Sequence, residues 1–237
     1  MSPNSIWSSP PSSFSLQPGE VHVWRLVLDQ PVEPFWPLLH ADEVNRANRF
    51  HFEKDRKHFA IARGVLRLLL GRYLQRDPKL FEFSYGAYGK PALDVSLRFN
   101  MSHSHGIALY AFTEGFQIGV DVEHVRADFT SDDIARRFFS ASEVESLDGL
   151  PVDERVAGFF RCWTRKEAYI KATGRGLSQA LDSFDVTLGP GASAALLRCE
   201  DGAPERWTMI DVEVGPGYAG AVAVEGQVSG IQFWSHN

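Results

Sequence analysis

The chain has 237 residues but only two cysteines, Cys162 and Cys199, and no C-x-x-C pair. That excludes a disulfide framework and a cysteine-built structural zinc site. It also lacks an excess of positive charge. Lys and Arg number 24 against 30 Asp and Glu, a net −6, so there is no overall electrostatic footprint for nucleic acid. No apolar run approaches the ~18 residues of a membrane span. No basic segment followed by an apolar core opens the chain, so no export signal is expected and a cytoplasmic location is. Hydrophobic content of 44% and charged content of 23% are those of an ordinary globular protein.

What is present centres on Ile118-Gly119-Val120-Asp121-Val122-Glu123. Apolar and polar residues alternate there, the period of a half-buried strand. Asp121 and Glu123 therefore share one face, and Val120 and Val122 the other. Two adjacent carboxylates repel unless a cation lies between them. Hard oxygen donors in that number suit Mg²⁺, which completes its shell with water and substrate phosphate. The plainer alternative is a solvated acidic face.

Residues 1–19 hold seven Ser and four Pro and read as a flexible lead-in, in which only Ile6, Trp7, Phe14 and Leu16 can dock. A strand is expected over 21–28 and two helices between Asp42 and Arg76. In the second of these, Phe59, Ala62, Leu66, Leu69 and Tyr73 form an apolar face. Residues 40–76 carry nine Arg and Lys against four acids, a local +5 that could receive a polyanion. A short strand over 80–85 leads to the turn Gly86-Ala87-Tyr88-Gly89-Lys90-Pro91, where glycines permit close backbone approach and Lys90 could meet a phosphate.

Strands over 97–102 and 107–112 flank Ser102-His103-Ser104-His105. His103 and His105 have ligand spacing for zinc, but no further Cys or His completes the set. A phosphate-facing role suits His103 better, and a turn role suits His105. After Glu123, Ser131 is expected to cap a helix, and another spans about 152–171. Strands over 184–188, 195–199, 207–212, 218–224 and 231–234 follow. The order strand, helices, strands recurs on each side of residue 118. This predicts an α+β fold of two similar subdomains, residues 20–117 and 118–237, with the site between them.

On the helix near 162–171, Trp163, Glu167 and Lys171 stand four apart on one face. An ordinary Glu–Lys pair beside a core Trp is one reading. The other adds Glu167 as a third carboxylate to Asp121 and Glu123, with Lys171 facing metal-bound phosphate.

Phe99-Asn100-Met101-Ser102-His103-Ser104, Ile118 to Glu123, Arg137-Phe138-Phe139-Ser140 and Trp163 to Leu177 occur in this order. With Tyr88-Gly89-Lys90-Pro91, they closely resemble the Sfp-type 4′-phosphopantetheinyl transferases over roughly residues 40–225. The resemblance implies two similar α/β halves related by pseudo-twofold symmetry. It implies transfer of phosphopantetheine from coenzyme A to a serine of an apo acyl or peptidyl carrier protein, releasing 3′,5′-adenosine bisphosphate. By it, Asp121, Glu123 and Glu167 bind Mg²⁺, Glu167 is also the candidate base, and Lys171 neutralises the leaving phosphate. Ser102 and His103 contact the phosphates, and Gly89, Lys90 and Pro91 line the adenine side. Arg46 holds the 3′-phosphate. The family often carries Arg near the position of His58, where Arg56 or Arg63 is the alternative here.

The carriers implied serve fatty acid, polyketide or nonribosomal peptide synthesis. Arg136, Arg137, Phe138 and Phe139 offer them a docking surface. Two halves in one chain imply a monomer. The competing readings are a non-catalytic carrier-binding module and a metal-dependent nuclease. The latter commonly wants a lysine where Val125 stands.

Overall fold

The computed structural model describes residues 6–12, 15–126 and 132–236. Phe14 and Ser131, expected to dock and to cap a helix, lie outside them.

The chain opens with β1 (Glu20–Val27), α1 (Ala41–Ala47) and α2 (Glu53–Leu74). Two short strands, β2 (Ser84–Tyr85) and β3 (Pro91–Ala92), bracket the Gly86–Lys90 turn. Then come β4 (Leu97–Ser104), β5 (Ile107–Glu114) and β6 (Ile118–His124). Three helices follow: α3 (Asp132–Phe138), α4 (Ala141–Asp148) and α5 (Val152–Thr173). The chain ends in β7 (Asp185–Val186), β8 (Leu196–Arg198), β9 (Trp207–Asp211), β10 (Tyr218–Glu225) and β11 (Gly230–His236). The strand expected over 80–85 is mostly absent. Asp77 instead accepts from the Lys79 amide and starts a single 3₁₀ turn over Pro78–Leu80.

Two sheets carry the fold, one ordered β11-β1-β5-β4 and the other β6-β10-β9. Period-two alternation sorts their side chains into three cores. On β1 and β5, Trp24, Leu26, Tyr110 and Phe112 pack under the apolar face of α2. Their alternates Val21, Val23, Leu109 and Ala111 meet Val120, Val122, Val222 and Val224 between the sheets. Ala221 and Ala223 of β10 turn the other way, toward Ala168, Ile170 and Ala172 of α5. The result is four layers: α2, first sheet, second sheet, α5.

β11 does not stay with the residues that precede it. It pairs parallel with β1, from Glu20↔Gly230 to Leu26↔His236, so the first sheet takes its edge strand from the C-terminus. A parallel pair needs a long crossover, and everything from α1 to β10 supplies it. Part of the lead-in is tied to this edge. Ser8 bridges to Trp234, and Trp7 donates its indole N–H to the Glu213 carbonyl at 2.7 Å.

Each half fixes its long helix with one buried carboxylate. Glu43, in the third position of α1, accepts from the His40 amide and pairs with Arg63 at 3.0 Å and Arg67 at 2.7 Å. Glu143, in the third position of α4, accepts from the Ser140 amide and pairs with Lys166 at 2.8 Å. Both are capping boxes whose acid also holds a cation of the following helix. The Lys166 ammonium donates in addition to the carbonyls of Leu181 and Phe184. It is fully buried and points away from any site, whereas its neighbour Glu167 does not.

Inside the first core Trp24 donates to the Tyr73 hydroxyl at 2.9 Å, which leaves the Tyr73 proton for Nδ1 of His22 at 2.8 Å. Burial, opposed by Glu20, lowers the His22 pKa from 6.5 to about 4. The folded chain prefers the neutral ring, while the unfolded chain takes up a proton near 6.5. Stability from this group is therefore complete above pH 6.5 and is lost as pH falls toward 4. Replacing His22 by Gln keeps an acceptor for Tyr73 but removes the titration. The urea midpoint of His22→Gln is expected to fall less steeply than that of the parent between these pH values. Parallel curves would show that His22 is not the responsible group.

Candidate active site

The site forms where β4, β6 and α5 meet. β6 places Asp121 and Glu123 on the face turned to α5, together with Gly119. A Cβ added at Gly119 would sit on the Ala168 carbonyl oxygen and the Ala172 amide nitrogen, with the Lys171 carbonyl carbon only 3.0 Å away. Glycine is thus required for α5 to lie this close, and the alanines at 168 and 172 are small for the same reason. The approach brings Glu167 and Lys171 over the two acids of β6.

β4 reaches β6 through side chains rather than a strand ladder. Asn100 accepts from the Val120 amide at 3.0 Å. Ser102 donates to Asp121 Oδ1 at 2.8 Å, and Ser104 donates to Glu123 Oε2 at 2.9 Å. The Lys171 ammonium completes a triangle, 2.6 Å from Asp121 Oδ1 and 2.9 Å from the Ser102 hydroxyl. Asp121 is 2% exposed, and its second oxygen, Oδ2, is buried with no hydrogen-bond partner. A buried carboxylate oxygen left in this state costs energy unless a cation or donor meets it.

The neighbouring acids report the same crowding. Burial, then the charge of Asp121, raises the Glu123 pKa. Burial, then Asp121, raises that of Glu167 to about 7, with Lys171 opposing. Among the described residues, no three His, Cys, Asp or Glu side chains stand as a ready-made metal cluster. The donor set of Asp121, Glu123 and Glu167 nevertheless fits a hard divalent cation. It consists of oxygens alone, carries excess negative charge and includes one buried oxygen without a partner.

Beside this cluster a cavity of about 200 Å³ is lined by Arg46, Arg63, Phe59, Gly89, Pro91 and His103, among others. It gathers most of the expected phosphate and nucleotide contacts. His103 sits in its open wall, where desolvation and then Lys171 lower its pKa. His58 does not line this cavity. It faces a separate one of about 330 Å³ with Lys54 and Lys57, 4.0 Å from Asp29. Of the two arginines considered in its place, Arg63 shares the cavity wall with Arg46. In the Arg63 guanidinium, Nη1 is buried without a hydrogen-bond partner, while Nε lies 3.0 Å from Glu43 Oε1.

Lys90 departs furthest from expectation. Its ammonium donates to the backbone carbonyls of Ile118 at 2.9 Å and Ala172 at 3.2 Å. One residue that the sequence did not single out belongs here as well. Ser104 orients Glu123, and the Ser-x-Ser alternation along 102–104 was the available signal. Arg63 was considered only as a substitute. On α3, Arg137 is exposed and Arg136 pairs with Asp148 at 3.1 Å; just past its end, Phe139 is core, stacked on Phe159.

A family model described as the 4′-phosphopantetheinyl transferase superfamily matches residues 117–223. The 4′-phosphopantetheinyl transferase HetI of a Nostoc species is 39% identical over 238 residues, covering 97% of this chain and 98% of its own. The 4′-phosphopantetheinyl transferase Sfp of Bacillus subtilis is 30% identical over 207 residues, covering 84% and 90%. A solved holo-[acyl-carrier-protein] synthase of Thermotoga maritima overlaps 47% of this chain and 64% of its own, with 19% identity and a TM-score of 0.37.

Gly119→Ala is expected to push α5 off β6 and to cost about 1–3 kcal/mol or more of stability, as overpacking does. Urea unfolding measures it. A variant as stable as the parent would mean that the two elements do not need this contact.

Proposed function

The chain belongs to the 4′-phosphopantetheinyl transferases, enzymes that modify carrier proteins using coenzyme A, and on that premise we propose that Asp121, Glu123 and Glu167 form a Mg²⁺-dependent transfer site. The observation that carries this reading is Asp121. One of its oxygens is held by Ser102 and Lys171, and the other is buried and unpartnered beside Glu167, whose pKa is raised to about 7. When bound by these three carboxylates, Mg²⁺ supplies charge neutralisation to the pyrophosphate of coenzyme A.

The protein's own groups do the rest. The carrier serine oxygen attacks the β-phosphorus, a new P–O bond forms, and the bond to the bridging oxygen breaks. The electron pair leaves with 3′,5′-adenosine bisphosphate. The serine proton passes to Glu167. Burial and then Asp121 raise its affinity for a proton, the direction a base needs, and a cation held by the same carboxylate would oppose that shift. The Lys171 ammonium, 2.6 Å from Asp121, balances the charge developing on the leaving phosphate. Ser102 holds Lys171 and Asp121 in register. Arg46, Arg63 and His103 receive the 3′-phosphate side of the nucleotide in the cavity that they line with Gly89 and Pro91. The carrier, acidic around its serine, docks against the exposed Arg137 of α3. One chain supplies both halves of the site, so a monomer suffices.

Intact-mass spectrometry of an apo carrier incubated with the enzyme, coenzyme A and Mg²⁺ tests this. A phosphopantetheine mass gain is expected, abolished by EDTA and slowed by at least about 10²-fold in Glu167→Gln. A gain that survives EDTA would remove the metal from the proposal. No gain with any carrier class, despite coenzyme A binding, would favour a carrier-binding module.

A further inference from the structure

The turn over residues 86–91 belongs to the first half of the chain, yet it is fastened to the second. Lys90 sends its side chain away from the nucleotide cavity, whose wall is formed by its neighbours Gly89 and Pro91. Its ammonium meets two carbonyls, that of Ile118, the first residue of β6, and that of Ala172, in the last turn of α5. β6 carries Asp121 and Glu123, and α5 carries Glu167 and Lys171. One cation therefore joins the wall of the cavity to both elements that bear the carboxylates.

A second contact repeats the connection. The ring of Tyr88 lies flush on Gly176, just beyond α5. A Cβ there would stand 2.6 Å from both Cβ and Cγ of Tyr88.

The chemistry suits a fastening rather than a ligand contact. The last carbonyls of a helix lack intrahelical donors and carry the negative end of its dipole, so a cation is favourable at that position. Among the described residues, no carboxylate pairs with the Lys90 ammonium. Burial, then Arg98, lowers its pKa from 10.5 to about 8, and two of its three N–H groups go to the two carbonyls.

We propose that Lys90 is a positioning residue. It latches the Gly86–Pro91 turn onto the start of β6 and the end of α5, and so sets the distance between the nucleotide wall and the carboxylate cluster. This rests on the transferase reading above, and it makes Lys90 a determinant of coenzyme A affinity that never touches the molecule.

The test uses the full-length enzyme and titration calorimetry with coenzyme A and with dephospho-coenzyme A. Transfer to an apo carrier is followed in parallel. The parent is measured first, and if it transfers nothing, the transferase reading has failed whatever Lys90 does. In Lys90→Met, loss of two hydrogen bonds is expected to raise the Kd for both ligands about tenfold and by the same factor. KM should rise with it and kcat should change less. Lys90→Arg should recover most of the loss. Gly176→Ala, which disturbs the same turn from the other side through Tyr88, should weaken both ligands in parallel. Combined with Lys90→Met it should add little, because both changes release one latch.

An effect of Lys90→Met confined to the ligand bearing the 3′-phosphate would make Lys90 a phosphate contact and overturn the proposal. Unchanged Kd values with only a lower melting temperature would overturn it too, leaving Lys90 a purely structural tie.

Discussion

Everything at this site depends on how near α5 comes to β6. Glycine at 119 and alanine at 168 and 172 let the helix backbone rest against the strand, without the side-chain layer that usually separates helix from sheet. That contact sets Glu167 and Lys171 directly over Asp121 and Glu123. Three carboxylates in one desolvated space are unfavourable together, and the raised pKa values of Glu123 and Glu167 measure the conflict. Ser102, Ser104 and Lys171 relieve part of it, but Asp121 Oδ2 is left without a partner. A divalent cation is the simplest group that completes the arrangement.

Such a site needs rigid walls. The two buried carboxylates away from it provide them. Glu43 ties α1 to α2 through Arg63 and Arg67, and Glu143 ties α4 to α5 through Lys166. Each acid also satisfies the amide that starts its helix, so one side chain fixes a helix entry and a helix pairing together. Removing one partner of such a pair typically costs about 3–5 kcal/mol, because the other charge remains buried. Arg63 links the two roles. It pairs with Glu43 and also lines the cavity proposed for the nucleotide, so the first half's scaffold and that cavity share a residue.

The site was legible in the sequence where local periodicity decides geometry. Period two on Ile118–Glu123 put both acids on one face, and four-residue spacing put Glu167 with Lys171. The same spacing included Trp163, which packs among Phe138, Phe139 and Phe159 as a core residue, as one reading expected. Lysines were the least readable residues. Lys90, Lys166 and Lys171 look alike in a sequence, yet one caps backbone carbonyls, one neutralises a buried acid and one faces the site. Only tertiary partners separate them. The return of β11 to the first sheet was also hidden. Pairing across some two hundred residues leaves no local trace, and the pattern of the last strands fits either sheet. The family resemblance pointed to a phosphate contact near His58, but helix phase turns it toward Asp29 and a separate hollow.

The most direct test of the account is a crystal structure with coenzyme A and Mn²⁺ in place of Mg²⁺, read by anomalous scattering. A peak about 2.1 Å from oxygens of Asp121, Glu123 and Glu167, with the pyrophosphate on its open side, is the expected result. Coenzyme A well ordered in the cavity with no metal peak at these carboxylates, or with the peak elsewhere, would contradict it.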